Sequence, residues 1–472
     1  METTLEIHQP PIRVLECKRH QVAAYWFAFD KPATMLAMDM GTMKSKVAID
    51  LMANWDCQTA LVICPKSVLG VWRREFAKHG GGRFDVCILD KGTVKEKTAR
   101  AADHINNRRG PRVVVVNYES ARVKEFAQRA LRPRWDCVIL DESARVKAHN
   151  TKQSKFVAKL GLHAKRRLCL TGTPMPNTPL DLFGQFKFLD PSIFGTLWTP
   201  FKARYAVTGC AAIPQMITGY QNQDELKYLM NTISFRVGAE VLDLPPEQHH
   251  VRTFALCPKA MRHYRDLEQE MITAVADGVC TVANCLVKTI RLRQATSGYV
   301  VEDDTKRIHR IDDGRQTELM DTLATIDLMD PDELHPPIVV FAHFTHDLSR
   351  ISEVAEGLGR RYGEISGANK DGLTSNATMS PDIDLLGVQI QAGGVGVDLT
   401  RARYAIYYSQ TYSLGDYLQS LARLNRPGQT RPVSYYHLVA ENTIDVKVRE
   451  ALEKKQKVVD VILDVFKTKG RA

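Results

Sequence analysis

The chain has 472 residues, 44% of them hydrophobic and 25% charged, which suffices for two or three domains with buried cores. Lysine and arginine outnumber aspartate and glutamate 64 to 54, a net charge of +10 that favours polyanionic partners and is equally compatible with a merely basic surface. No apolar run approaches the roughly 18 residues of a membrane span, METTLEIHQPP lacks the pattern of a leader, and the 10 cysteines include no CxxC, so the expectation is an intracellular, cytoplasmic protein without membrane or structural zinc.

Short β-rich apolar runs alternate with longer helical patterns over roughly the first 175 residues: MLAM, ALVICP, FDVCILD, VVVVNYES, WDCVILDES and RRLCLTGTP. This is the pattern of a parallel α/β sheet. Several runs end in Gly, Pro, Ser, Thr, Asp or Glu, which puts polar groups on the carboxyl edge, where open sheets bind ligands. Cys64, Cys137 and Cys169 lie in or beside these runs and are expected to be small core residues. From about 190 to 300 the strand signal fades, and KAMRHYRDLEQEMITAVADG and TVANCLVKTIRLRQ have helical spacing. VEDDTKRIHRIDDGRQ reads as a solvated connector. PPIVVFAHF, LLGVQIQAGG, ARYAIYYSQ and PVSYYHLV predict a second α/β lobe, and TIDVKVREALEKKQKVVDVILDVF an amphipathic terminal helix.

MLAM is followed by Asp39, Met40, Gly41, Thr42, Met43, Lys44 and Ser45, then by the helical KVAIDLMANW. A strand, a loop and a helix in that order let backbone N–H groups converge on phosphate, with Lys44 for the outer phosphates and the Ser45 hydroxyl for magnesium. Met43 stands where such loops carry their second glycine, which predicts a reshaped loop or weaker nucleotide binding. WDCVILDES ends in Asp141, suited to hold Mg²⁺ through water, and Glu142, suited to orient or deprotonate an attacking water. An acidic pair that only caps a strand is the alternative. LTGTPMPN adds another strand-end turn through Thr171, Gly172, Thr173 and Pro174.

The order phosphate loop, DES, LTGTP, QAGGVGVDLT and QSLARLNRPGQ resembles that of superfamily-two helicase motors. LVICPKSVLGVWRREFAKH, VVVVNYES, LTGTPMPNTPLDLFGQFKFLDP, VLDLPPEQ and the late RPGQ resemble the signatures of the Swi/Snf-type family within them, over about residues 14 to 455 and in the style of compact bacterial or viral members. The resemblance implies two RecA-like parallel-sheet lobes with helical insertions. Lobe one spans 1–240 with an insertion at about 190–235; lobe two spans 241–472 with an insertion at about 257–300 and a brace-like helix at about 443–466. It further implies ATP and Mg²⁺ as cofactors and ATP-driven movement on double-stranded DNA, with DNA-bound proteins as candidate displaced cargo; the oligomeric state stays open.

Carried over by position, Lys18 and Gln21 match the family's adenine-reading segment, and Arg423 and Arg426 its arginine fingers, oriented by Gln419. Pro65, Lys66, Ser67, Tyr118, Thr171, Thr345, Ser366, Gly367, Ala392, Gly393 and Gly394 match strand-end positions that hold nucleic-acid backbone, which gives no base specificity. His343 and His346 in HFTH fall in one such loop, a better account than metal. Two departures stand out. Ser143 and Ala144 replace the residues that usually finish the acidic motif, so signalling between lobes is expected to differ, and ISGANKDGLTSNATMSPDIDLLG is unlike the family's arginine-containing helix. The alternatives are a nucleic-acid-binding protein with a weak or decayed ATPase, or a strand-separating RNA or DNA helicase.

Overall fold

The computed structural model describes residues 8–107, 110–210, 213–276, 282–302, 304–331, 333–393 and 396–463. The chain divides into two compact units, Met1–Asp243 with Lys457–Ala472, and Leu244–Gln456. Each has its own parallel sheet.

The strands of lobe one are β1 (Ala33–Met38), β2 (Thr59–Cys64), β3 (Asp85–Ile88), β4 (Arg112–Asn117), β5 (Trp135–Asp141), β6 (Ala164–Thr171), β7 (Ala206–Cys210), β8 (Ile213–Tyr220) and β9 (Ser234–Val237). All but β7 and β8 join one sheet in the order β3-β4-β2-β5-β6-β1-β9, every pairing parallel. A parallel sheet covered by helices on both faces needs unbroken apolar strands, and β-branched residues fit its pleat; the four valines at 113–116 are each 0% exposed. Cys64, Cys137 and Cys169 are free thiols in this core, as their surroundings predicted.

The segment expected to be a helical insertion at about 190–235 holds helices Pro191–Phe194, Trp198–Tyr205 and Gln223–Asn231, but also the antiparallel β7–β8 hairpin. Val207, Thr208, Ile217 and Thr218 are β-branched, and Gly209 and Gly219 disfavour helix, so local propensity selects strands here.

Lobe two contains β10 (Glu247–Phe254), β11 (Tyr299–Val301), β12 (Ile308–Arg310), β13 (Ile338–Ala342), β14 (Tyr362–Ile365), β15 (Leu385–Gln389), β16 (Tyr404–Tyr407) and β17 (Val433–Ala440). Its sheet runs β10-β17-β16-β13-β15-β14, again all parallel. Val339, Phe341, Leu386, Val388, Tyr407, Leu424 and Tyr435 form its core. Helices Pro258–Ala276 and Val282–Thr296 occupy the region at about 257–300, and Ile444–Leu463 is the last described helix. The α/β fold class with two parallel-sheet lobes is therefore present.

The connector VEDDTKRIHRIDDGRQ is exposed over residues 304–310, as its charge suggested, but it also contributes a strand and its end is buried. Tyr299–Val301 and Ile308–Arg310 pair antiparallel, and Arg315 is only 2% exposed. Its guanidinium donates to the carbonyls of Thr296 at 3.0 Å and Leu438 at 3.1 Å and pairs with Asp445. Backbone carbonyls and one carboxylate replace the lost water, which is why a charged residue is stable inside. Among the described residues, no helix is long and apolar enough to cross a membrane.

Candidate active site

Three neighbouring strands assemble the site in lobe one. β6 lies between β1 and β5, with Ala37 opposite Thr171 and Asp141 opposite Leu170. Because the strands are parallel, the phosphate loop after β1, the acidic pair at the end of β5 and the TGTP turn after β6 leave the sheet at one edge.

The loop is shaped by two left-handed residues, Gly41 with φ 83° and Met43 with φ 64° and ψ 47°. A glycine adopts this region freely, whereas a side chain there costs roughly 1–2 kcal/mol. Met43 caps helix Lys44–Asn54, so the strain sits where the chain enters the helix, and Ser45 is that helix's second residue. Inside the loop the Thr42 hydroxyl donates to the Asp39 carbonyl at 2.7 Å. The Lys44 ammonium donates to the carbonyls of Met38 at 2.7 Å and Asp39 at 3.2 Å.

Asp39 joins this loop to the next segment. Its N–H donates to the Val237 carbonyl at 2.8 Å, and its Oδ2 accepts from the N–H of Ala239 at 2.9 Å. Burial raises its pKa, opposed by Arg236 and Lys44. Met40 is half-buried in the same turn.

Gln21 reaches the loop from helix Arg19–Phe29, its Nε2 donating to the Thr42 carbonyl at 3.4 Å, and its Oε1 accepting from the Lys18 N–H at 3.0 Å. The Lys18 side chain itself is exposed. His20, given no role by the sequence, places Nε2 3.2 Å from the same Thr42 carbonyl; burial lowers its pKa, so the ring is neutral and suited to donate. Below the loop, buried Lys46 pairs with Asp50 at 2.6 Å and contacts Cys17 Sγ at 2.8 Å, tying the segment before Gln21 to the helix after the loop.

At the end of β5, Asp141 is held on every side. Its Oδ2 accepts from Trp72 Nε1 at 2.9 Å, its Oδ1 from the Glu142 N–H at 3.0 Å, and its carbonyl from the Tyr118 hydroxyl at 2.9 Å. Burial and the Glu142 carboxylate push its pKa up to about 7, while Trp72 and Lys44 pull it down. Glu142 has φ 51° and ψ 53°, a sharp turn directly after the strand. Ser143 donates to Gln185 Oε1 at 2.7 Å, and Gln185 Nε2 donates to the Pro174 carbonyl at 2.7 Å. Ser143, noted in the sequence only as a departure, thus links the acidic turn to the TGTP turn.

In lobe two, helix Leu414–Leu421 carries Gln419, and the turn after it carries both arginines. Arg423 and Arg426 each donate from Nη1 to the carbonyl of Val397 at 3.3 Å, and Arg426 lies 3.9 Å from Asp398. Gln429 Nε2 donates to the carbonyls of Thr400 at 3.1 Å and Ala402 at 3.0 Å. The QAGGVGVDLT and RPGQ motifs are therefore one hydrogen-bonded unit, in which Gln429 has a role the sequence left unassigned.

The nucleic-acid assignments divide. Lys66, Ser67, Thr345 and Gly367 are exposed, and Pro65 is the buried N-cap of the short helix beginning at Lys66. Tyr118 and Thr171 face inward. Tyr118 is 1% exposed with its hydroxyl spent on Asp141, and Thr171 is 0% exposed with its hydroxyl accepting from the Thr173 N–H at 3.1 Å. Ser366 is buried as well, its hydroxyl accepting from the N–H groups of Ala368 and Asn369 and so shaping the turn. Ala392 and Gly393 end helix Ile390–Gly393, and Gly394 lies outside the described residues. His343 is driven to a pKa of about 3 by burial and Arg293, a neutral interior ring.

A RAD54-like DNA repair and recombination protein of Drosophila erecta is 25% identical over 456 residues, covering 86% of this chain and 56% of that protein. The chain thus spans about half the length of such curated relatives. Putative protein p41 of Acyrthosiphon pisum secondary endosymbiont phage 1 is 26% identical over 348 residues, 70% of this chain and 73% of that one. The solved Sulfolobus solfataricus SWI2/SNF2 ATPase core in complex with dsDNA is 22% identical, with 97% of this chain and 95% of that one covered at a TM-score of 0.45. Residues 16–298 match the SNF2-related domain, a span that takes in Gln21, the phosphate loop, the acidic turn and the TGTP turn. In agreement with the order of its motifs, the chain belongs to the SNF2-related domain family.

Proposed function

We propose that the chain is a DNA-dependent ATPase that translocates on double-stranded DNA. The observation that carries this reading is the meeting of the phosphate loop, Asp141–Glu142 and the TGTP turn at one sheet edge, in a chain of this family. The donor set fits Mg·ATP: an ammonium resting on carbonyls at a helix N-terminus, a hydroxyl at Ser45 and a carboxylate fixed at Asp141. Bound there, it supplies the phosphoanhydride whose cleavage drives the motor.

Lys44, which rests on the Met38 and Asp39 carbonyls, would hold the outer phosphate oxygens. Ser45 and Asp141 would hold the divalent ion, Glu142 would orient the attacking water and accept its proton, and Gln21 with Lys18 would read the base. Arg423 and Arg426 would supply charge to the transferred phosphoryl group, as arginine fingers do. The RAD54-like relative is a DNA repair and recombination protein, which with the net +10 supports DNA as the track. Lys66, Ser67, Thr345 and Gly367 are the exposed candidates to touch its phosphates, and DNA-bound proteins are the cargo such a motor displaces.

Phosphate release measured with duplex DNA, single strands and RNA tests the ATPase. Displacement of a triplex-forming third strand, beside a forked duplex that stays paired, tests translocation. Fork unwinding without triplex displacement, or stimulation by RNA above duplex DNA, overturns the reading. Lys44→Ala should lose ATP binding, whereas Glu142→Gln should bind ATP and hardly hydrolyse it. The left-handed Met43 favours one second reading, a nucleic-acid-binding protein with a weak ATPase, for which phosphate release is negligible with or without DNA.

A further inference from the structure

Lobe one has a second concavity, at the other edge of its sheet. It is a cavity of about 240 Å³ walled by Ala101, Ile105, Val114, Phe126, Ala130 and Trp135. Trp135 begins β5 and Asp141 ends it, so roughly 20 Å of strand separates the cavity from the acidic pair. The one polar group of the indole is already used, since Trp135 Nε1 donates to the Ala130 carbonyl at 2.9 Å. The wall is mainly apolar, with Asn106 as its uncharged polar member.

The rim is cationic. Arg129 and Arg132 line the mouth and Arg134 follows, with Arg132 and Arg134 exposed. Among the described residues, none of these three side chains forms an ion pair or hydrogen bond. A dry apolar cavity of about 150 Å³ accepts benzene, whereas clefts for cofactors span about 300–1,000 Å³. The size therefore suits one aromatic side chain.

We propose that this cavity is a docking site for an acidic peptide segment of a partner protein, which buries one aromatic side chain against Phe126 and Trp135 and sets its carboxylates on Arg129 and Arg132. An apolar anchor in a desolvated pocket, flanked by arginine, is the arrangement that concentrates binding energy at protein interfaces. A nucleic-acid strand is also drawn to arginines, and a base could stack on an aromatic ring, so the short-duplex arm of the test distinguishes that occupant from the peptide. The site does not depend on the ATPase reading.

Isothermal titration of the full chain with a short peptide of aspartate and glutamate around one central phenylalanine tests this. The control peptides carry alanine in place of phenylalanine, or lysine in place of every acid. The phenylalanine peptide should bind at least about tenfold tighter than either control. Arg129→Glu with Arg132→Glu should weaken it about tenfold or more while ATP turnover is unchanged, and Ala102→Leu, which fills the wall, should erase the preference for phenylalanine. Equal binding of the two acidic peptides, preference for the basic one, or loss of short-duplex binding in the double variant without loss of peptide binding overturns the proposal.

Discussion

Trp72 donates from its indole to Oδ2 of Asp141 at 2.9 Å, across 69 residues of chain, and both side chains are buried. A carboxylate whose pKa burial and Glu142 push to about 7 needs such a donor to remain ionised for a cation. Trp72→Phe keeps the ring and removes the donor. Phosphate release over a magnesium series should fall about tenfold or more, the effect of deleting a hydrogen bond to a charged group. Unchanged turnover would assign the indole to packing alone.

The two arginines of lobe two should separate. Either alanine variant should lower DNA-stimulated turnover by about 10³ to 10⁵, or roughly 4–7 kcal/mol for a full finger, with nucleotide affinity largely kept. Arg423 is 5% exposed and Arg426 has a 29% exposed side chain, so Arg423→Ala should also lower the melting temperature and Arg426→Ala should not. Thermal melts run beside single-turnover hydrolysis distinguish them. Wild-type turnover in Arg426→Ala removes it from the chemistry.

Met43→Gly relieves a left-handed side chain but restores entropy to the unfolded chain, and these effects nearly cancel, leaving stability within about 1 kcal/mol of wild type. Nucleotide affinity should rise, because the loop backbone no longer carries a side chain where it wraps phosphate. Met43→Val, β-branched at positive φ, should be destabilised instead. Fluorescent-nucleotide titration and melting curves check both; weaker nucleotide binding by the glycine variant contradicts the account.

His79 gives lobe one a dependence on acid. It is 3% exposed, neither ring nitrogen has a hydrogen-bond partner, and burial with Lys46 and Lys78 lowers its pKa from 6.5 to about 4. Between those values the unfolded chain binds a proton that the folded chain refuses. The contribution is complete above pH 6.5 and is lost as pH falls towards 4. Melting temperature should drop by a few degrees over this window, and His79→Phe should flatten the drop. An identical pH profile in the variant would exclude His79 as its source.

The strands and their polar ends were legible because apolar runs and strand-end turns are local signals: the WDCVILD of WDCVILDES is β5, and the four valines sit in β4. The contacts that fix the site were not, since Trp72 meets Asp141 across 69 residues and Ser143 meets Gln185 across 42, with no spacing to mark either. The surroundings of Tyr118 were hidden for a related reason. A tyrosine after a strand offers the same hydroxyl to solvent or to an interior carbonyl, and only the fold decides. Arg315 misled by its company, a charged run that folds back on carbonyls distant in sequence.

Asp39 has a mechanical consequence. One residue gives a backbone N–H to Val237 and takes another from Ala239 with its carboxylate, while its own carbonyl accepts from Thr42 and Lys44. The first segment of lobe one ends at Asp243, only a few residues beyond that contact. The segment that leaves β9 and the loop after β1 therefore share the hydrogen bonds of one aspartate, in addition to the β1–β9 pairing, so a displacement of residues 237–239 is felt directly at the loop.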